Sequence, residues 1–311
     1  MVNWTRKGLR LANCGLVLAT GICLIPCSAW VCTLISCFQL QYALVGVLLI
    51  MINWVLKSGS GWTLTCLICT GLLATFFVPY LQTKTPTELE QPNLKLLHWN
   101  SWRDNHSPED LNWALDTFDP HIAFFQEVTI EEQNQFHAPG FKVEYIGDFL
   151  VVMRPEVEIA IEAHDVPWLD LPAVSLTIHF NGQLVDLFSI HPSSPLTGRR
   201  HKARNQFLQQ LGEQIGPNSN PCVVIGDFNT TPFDPAFDSL LQTGKLHNSM
   251  VGFGWQPTWP FHNSLTAAMQ IPIDHCLISA NLQVVDRQTG SSRTSNHKPL
   301  YLSLRLKPAL D

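Results

Sequence analysis

Three long apolar runs fill the first quarter of the chain, and a different rhythm begins after them. From Leu11 to Leu81 the only charged side chain is Lys57. A helix needs about 20 mostly apolar residues to cross a bilayer. Segments 11–32, 38–56 and 62–81 have that length, so residues 1–82 are expected to form a membrane region of three transmembrane helices. Trp4, Trp30, Trp54, Trp62 and Tyr80 fall near the ends of these runs, where amphipathic rings favour the membrane interface. Arg6, Lys7 and Arg10 precede the first run, and Lys57 separates the second from the third. Positive charges stay on the cytoplasmic side. Three spans therefore put all four cations inside and the rest of the chain on the periplasmic or extracellular face. Residues 83–92, "TKTPTELEQP", read as a polar, proline-punctuated linker.

From residue 93 to 311 the pattern is that of a water-soluble domain. "NLKLLHWN" and "HIAFFQEV" are strand-like, and between them "SPEDLNWALDTF" reads as a helix with Ser107 at its N-cap. "FLVVMR", "AVSLTIHF" and "QLVDLFSIH" look like strands of a meander. "RNQFLQQLGEQI" has helical spacing and ends near Gly216-Pro217; "CVVIGDFN", "IDHCLIS" and "KPLYLSLRL" supply further strands. Many strands with helices between them point to an α+β domain, two packed sheets flanked by helices.

Charge and cysteines narrow the function. Residues 92–311 carry 14 basic and 23 acidic side chains, a net of −9, which disfavours a broad nucleic-acid surface. One basic cluster, "GRRHKAR" at Gly198–Arg204, opens the helix-like segment. Seven of the nine cysteines lie in the membrane region; Cys222 and Cys276 sit on apolar strands, either as buried thiols or as a disulfide. There is no P-loop and no GxGxxG, so no cofactor beyond a metal ion is indicated.

The segment "PCVVIGDFNTTP" runs an apolar strand through a glycine into Asp227 and Asn229. A buried carboxylate is costly unless something pairs with it. Asn100, Glu127, His191, Asp274 and His297 also follow or border strand-like runs. Each alone is ordinary turn chemistry; so many together point to a site assembled at strand ends.

The series "HWN", "FFQEV", "SIHP", "GDFNTTP", "PTWP…IDHCLIS" and "SNHKPL" resembles the endonuclease/exonuclease/phosphatase superfamily, and its surroundings resemble membrane-attached bacterial members. The resemblance implies a four-layer α/β/β/α sandwich in an integral protein of a bacterial inner or plasma membrane. It implies a divalent ion, Mg²⁺ or Mn²⁺, held by Glu127 with Asn100 and Asn296. Asp227 would activate water, Asn229 would orient the phosphate, and His191 and His297 would donate to phosphoryl oxygens, with Asp274 fixing His297. The family pattern has Asp where this chain has Asn296, so weaker metal binding is expected.

Three functions remain open on this reading. The first is a phosphoesterase acting on a membrane lipid or polyprenyl carrier, with Arg199, Arg200 and Lys202 contacting its phosphates. The second is a nuclease of the same fold. The third is a catalytically inactive binding module, which Asn296 would favour.

Overall fold

The computed structural model describes residues 2–84, 93–103, 107–166, 172–216, 220–260 and 268–307, with the side chains of residues 2–5 excepted. Trp4's side chain, linker positions 85–92 and Pro217 lie outside the described residues.

The N-terminal part holds α1 (Val2–Leu24), α2 (Trp30–Ser36), α3 (Gln39–Val55) and α4 (Ser60–Thr75), then a 3₁₀ turn at Val78–Tyr80. The first apolar run does not form one helix. Helix α1 stops at Leu24 and α2 begins at Trp30; Pro26 lies in the break, where it lacks a backbone donor and clashes with the preceding turn. Among the described residues, 6–24 of α1 alone form a single helix long and apolar enough to span a bilayer; α2 and α3 meet at 59° and make a second such stretch only if taken together, and α4 has 16 residues. The helix bounds therefore differ from the expected 11–32 and 38–56, because the first run divides at Pro26. Helices α1, α3 and α4 pack around Leu16, Leu49 and Leu73 and an amide pair in which Asn13 and Asn53 each donate to the other. Among the described residues, most of the exposed large apolar side chains lie on these helices and the segments joining them.

The rest of the chain is a sandwich. One sheet contains β1 (Leu94–Asn100), β2 (Ile122–Gln126), β3 (Lys142–Ile146), β4 (Phe149–Met153), β11 (Leu282–Thr289) and β12 (Leu300–Leu306), in the order β11-β12-β1-β2-β4-β3. The other contains β5 (Glu158–Asp165), β6 (Ala173–Phe180), β7 (Gln183–Ile190), β8 (Cys222–Asp227), β9 (Leu246–Asn248) and β10 (Asp274–Ser279), in the order β5-β6-β7-β8-β10-β9. Strand "FLVVM" belongs to the first sheet as β4, beside β2, and not to the β6–β7 hairpin. Helix α5 (Pro108–Phe118) covers the first sheet, together with Val128 and Phe136 on either side of α6 (Ile130–Gln135); α7 (Gly198–Ile215) and α8 (Pro235–Thr243) cover the second.

Period-two alternation sorts the strand residues into layers. Leu94, Leu96, Ile122 and Phe124 meet Leu187, Val223, Ile225 and Cys276 between the sheets. Trp99, Ala123 and Phe125 pack instead under α5, and Val224 and Leu277 under α7 and α8. Both faces of the central strands are covered, which is why they read as continuous apolar runs. Cys222 and Cys276 are buried free thiols. Ser107 occupies the N-cap of α5, but its hydroxyl makes no capping bond.

The helical part is seated on the sandwich as well as joined to it through residues 83–92. The Trp30 indole donates to Pro195 O at 2.8 Å, Gln41 Nε2 to Gln270 O at 3.1 Å, and Gly252 N to Pro79 O at 3.1 Å. Phe77 meets Trp255 edge-to-face at 4.9 Å.

Candidate active site

The rows that fill the space between the sheets turn polar at one end. Leu94 and Leu96 are followed at the same parity by His98 and Asn100 on β1; Ile122 and Phe124 lead to Gln126; Leu187 leads to Ser189 and His191; Val223 and Ile225 lead to Asp227. Strands β1 and β2 are parallel, as are β7 and β8, so these four ends lie together. Antiparallel β10 starts there, and Asp274 pairs with Asp227 in register.

Gly226 answers for the oddest feature of the motif. Its φ is +154°, and a Cβ there would sit 2.1 Å from Ile190 O on the neighbouring strand. Only glycine lets β8 approach β7 this closely while delivering Asp227. Asp227 is buried; Asn229 N donates to its Oδ1 at 2.8 Å, and the amides of Asn100 and Asn229 each reach Oδ2 at 3.3 Å. Gln126 braces this end of the sandwich. Its Nε2 donates to Ser189 Oγ and Ile190 O across the sheets, and its Oε1 accepts from Asp227 N. Asn229 takes a left-handed φ of 51°, and its carbonyl accepts from Arg204 Nη1 at 2.7 Å. Arg204 is fully buried and ion-paired with Asp234, so this member of the basic cluster serves the loop that carries Asn229.

Asp274 sits between two imidazoles. His98 Nε2 is 2.9 Å from Oδ1 and His297 Nδ1 is 2.8 Å from Oδ2, with His98 and Asp274 fully buried and His297 nearly so. Thr258 Oγ1 accepts from Asp274 N, and Ser295 Oγ accepts from His297 N while donating to Asn100 O. Burial opposes the charge of Asp274, but the attraction and hydrogen bonds of His297 and His98 outweigh it and hold the carboxyl far below its ordinary value. Burial also opposes the His297 imidazolium; Asp274, Asp227 and Glu127 overcome it and lift its pKa to about 9. Asp227 is pushed the other way, upward, by burial and by the charge of Asp274.

Glu127 departs from strand geometry at φ 62°, which turns its carboxylate back toward the site. Asn100 Nδ2 donates to its Oε1 at 3.1 Å, and Arg103 N to its Oε2 at 3.1 Å. Burial alone would raise its pKa, but these donors and the neighbouring imidazoles outweigh burial and lower it. His191 Nε2 lies 3.5 Å from Glu127 Oε1 and 3.8 Å from Asp227 Oδ2.

A divalent ion fits this corner. Asn296 Oδ1 is a buried acceptor with no hydrogen-bond partner, and it lines the same cavity as Glu127. Two oxygen donors of this kind suit a hard divalent cation. Asn100 Oδ1 accepts from Trp102 N while its nitrogen faces the carboxylates, so its amide orients Glu127. Asp227, Asp274 and His297 also form a buried group whose ligating atoms lie within 4.8 Å of one another. There both Asp274 oxygens already face imidazoles.

All this opens into a cavity of about 780 Å³ lined by Glu127, His191, Asp227, Asn229, Asn296 and His297, with Arg200 also lining it. Arg199 and Lys202 are exposed and are not part of its lining. The sequence reading missed His98, Gln126 and Thr258. A polar residue repeated at core parity on an otherwise apolar strand was the available signal for the first two.

No curated protein matches the chain in sequence. Solved structures match its fold. Zebrafish (D. rerio) TDP2 complexed with a single-strand DNA product aligns with a TM-score of 0.57 at 14% identity, covering 69% of this chain and 100% of its own. An endonuclease/exonuclease/phosphatase from Bacteroides vulgatus aligns at 0.56 and 15%, covering 70% and 100%. A mannosyl-6-phosphatase from Bacteroides thetaiotaomicron aligns at 0.50 and 17%, covering 68% and 100%. The model of the Endonuclease/Exonuclease/phosphatase family matches residues 97–297, a segment that carries every strand-end residue named above. The chain therefore belongs to this family, whose members are metal-dependent hydrolases of phosphoester bonds.

Proposed function

We propose that the protein is a membrane-anchored, Mg²⁺- or Mn²⁺-dependent phosphoesterase whose substrate is a phosphorylated membrane lipid or polyprenyl carrier. The observation that carries the chemistry is the convergence of His191 and His297 on Asp227, with Nε2 to Oδ2 distances of 3.8 and 3.9 Å. Asp227, more basic than an ordinary carboxylate, takes the proton of the attacking water. His297, charged at neutral pH, donates to the phosphoryl oxygens, where negative charge is held in the transition state. His191 donates from the Glu127 side, and Asn229 keeps Asp227 oriented. Glu127 and Asn296 would hold a divalent ion, which when bound would neutralise phosphate charge.

Membrane anchoring is supported by the apolar surface of α1, α3 and α4, too extensive for a face in water. Arg6, Arg10 and Lys57 border one pocket at one end of these helices, while Trp30, Phe76 and Phe77 meet the sandwich at the other. That polarity agrees with cations in the cytoplasm and the sandwich on the outer face. The neutral Asn296 favours one rival, a binding module without turnover. Purified full-length protein is expected to hydrolyse chromogenic phosphoesters only with Mg²⁺ or Mn²⁺, and Asp227→Ala and His297→Ala to lose at least 10²-fold in kcat. Metal binding without turnover in the parent protein would establish the module instead.

A further inference from the structure

The cavity that holds the strand-end residues has a wall the sandwich does not supply. Leu34, Cys37 and Phe38, from α2 and the break after it, line it beside the phosphate-facing groups. Leu196, Trp259 and Ile271 extend the apolar lining. Leu196 is left 68% exposed, and the Trp259 ring lies 6.4 Å from that of His297, so apolar surface begins next to the imidazole. A volume of about 780 Å³ has room for much more than a phosphate group.

Helix α2 is held in this position from the sandwich side. Its Trp30 indole donates to Pro195 O, Thr33 Oγ1 lies 3.3 Å from His201 Nε2, and Thr231 Oγ1 lies 3.9 Å from Cys37 Sγ. The 59° turn into α3 falls at Cys37-Phe38, where the sequence has neither proline nor glycine. Sharp bends usually have a local cause; here the cause is tertiary, and its result is that Leu34 and Phe38 border the cavity.

We infer that α2 and the α2–α3 break form an apolar subsite for the hydrocarbon chain of a phosphate ester, whose phosphate sits on the strand-end residues. The inference rests on the phosphoesterase reading of the cavity floor, and it makes the N-terminal helices part of the substrate site as well as an anchor. The head group is shared by isoprenoid and straight-chain alcohols; the wall selects for the chain.

The test is a binding series on full-length protein in phosphatidylcholine nanodiscs with Mg²⁺, using the Asp227→Asn background to prevent turnover. Ethyl, butyl and hexyl phosphates are titrated by calorimetry, with empty nanodiscs subtracted. The Kd is expected to fall up to about fourfold for each methylene buried. In Leu34→Ser and Phe38→Ser the gain per methylene falls below about twofold, whereas Leu67→Ser, on the exposed face of α4 and outside the cavity, keeps the parent dependence. A Kd independent of chain length in the parent overturns the inference, and this arm decides even if the wall variants do not fold. A dependence that survives both wall substitutions overturns it as well, since the chain then lies elsewhere. Geranyl phosphate binding more tightly than decyl phosphate, which has the same number of carbons, would identify the chain as isoprenoid; the reverse would identify it as straight. Turnover of methyl p-nitrophenyl phosphate by the parent enzyme separates the two readings. Hydrolysis with a flat series leaves the chemistry standing and removes the subsite, whereas no hydrolysis and no binding of ethyl phosphate removes both.

Discussion

Replacing His98 by leucine removes a donor from a carboxylate that no water reaches. Asp274 is fully buried, and its two oxygens are served by His98 at 2.9 Å and His297 at 2.8 Å. Leucine approximates the size of the imidazole, so the change opens little space; its cost is an unpaired buried oxygen on a charged group. A hydrogen bond to an ionised partner contributes about 1.5–3 kcal/mol. For a domain of this size each kcal/mol moves Tm by about 2–4 °C, so His98→Leu is expected to melt about 3–12 °C below the parent. The informative assay is a double-mutant cycle with Asp274→Asn, read by thermal and urea unfolding at pH 7.5. If His98 acts through Asp274, its removal costs far less once the carboxylate charge is gone, and the coupling is about 1.5–3 kcal/mol. Additive effects, with coupling below about 0.5 kcal/mol, would refute the assignment of His98 as the partner that holds Asp274 for His297.

Other consequences are narrower. Asn296→Asp places a charged oxygen where an unpartnered carbonyl now lines the cavity, and Mn²⁺ affinity is expected to rise at least about tenfold in a direct titration; an unchanged Kd would remove Asn296 from the metal corner. Gly226→Ala forces a Cβ against Ile190 O, with an expected loss of about 1–3 kcal/mol in urea unfolding and of most activity; a parent-like midpoint would contradict the close approach of β7 and β8. His275 is buried against Phe228 and Phe237, and burial pushes its pKa down to about 4. Its folded pKa lies below the unfolded value of about 6.5, so it contributes stability above pH 6.5 that is lost as pH falls toward 4, about 3 kcal/mol in all. His275→Gln should show a correspondingly shallower decline in urea stability between pH 7 and 4.5, and identical slopes would place the cause elsewhere.

Much of the site was readable because its residues break a pattern. Asp227 interrupts "CVVIGD" where burial should exclude charge, and Asn100, His191 and Asp274 likewise sit where apolar strands start or stop. His98 and Gln126 were harder to read. His98 lies inside its strand and Gln126 at the end of its own, and the role of each depends on a partner 176 or 101 residues away, fixed only when the sheets pack. Glu127 was legible as a residue type, but its left-handed φ of 62° has no counterpart in local propensity. Strands β3 and β5 escaped notice because they are largely exposed and lack apolar runs. In the helical part, Pro26 was a visible stop signal inside the first apolar run. The bend at Cys37-Phe38 carried none, because contacts with the sandwich hold it.

The account's central claim is that buried Asp227 activates water against a phosphate group on a membrane-borne substrate. The most direct measurement is phosphate release from a long-chain polyprenyl pyrophosphate by the purified full-length protein, with and without Mg²⁺ and with Asp227→Ala as the control. The account predicts release that requires Mg²⁺ and falls at least 10²-fold in the variant. Release that persists in Asp227→Ala would contradict the assignment of the base, and no release from the parent protein would contradict the substrate.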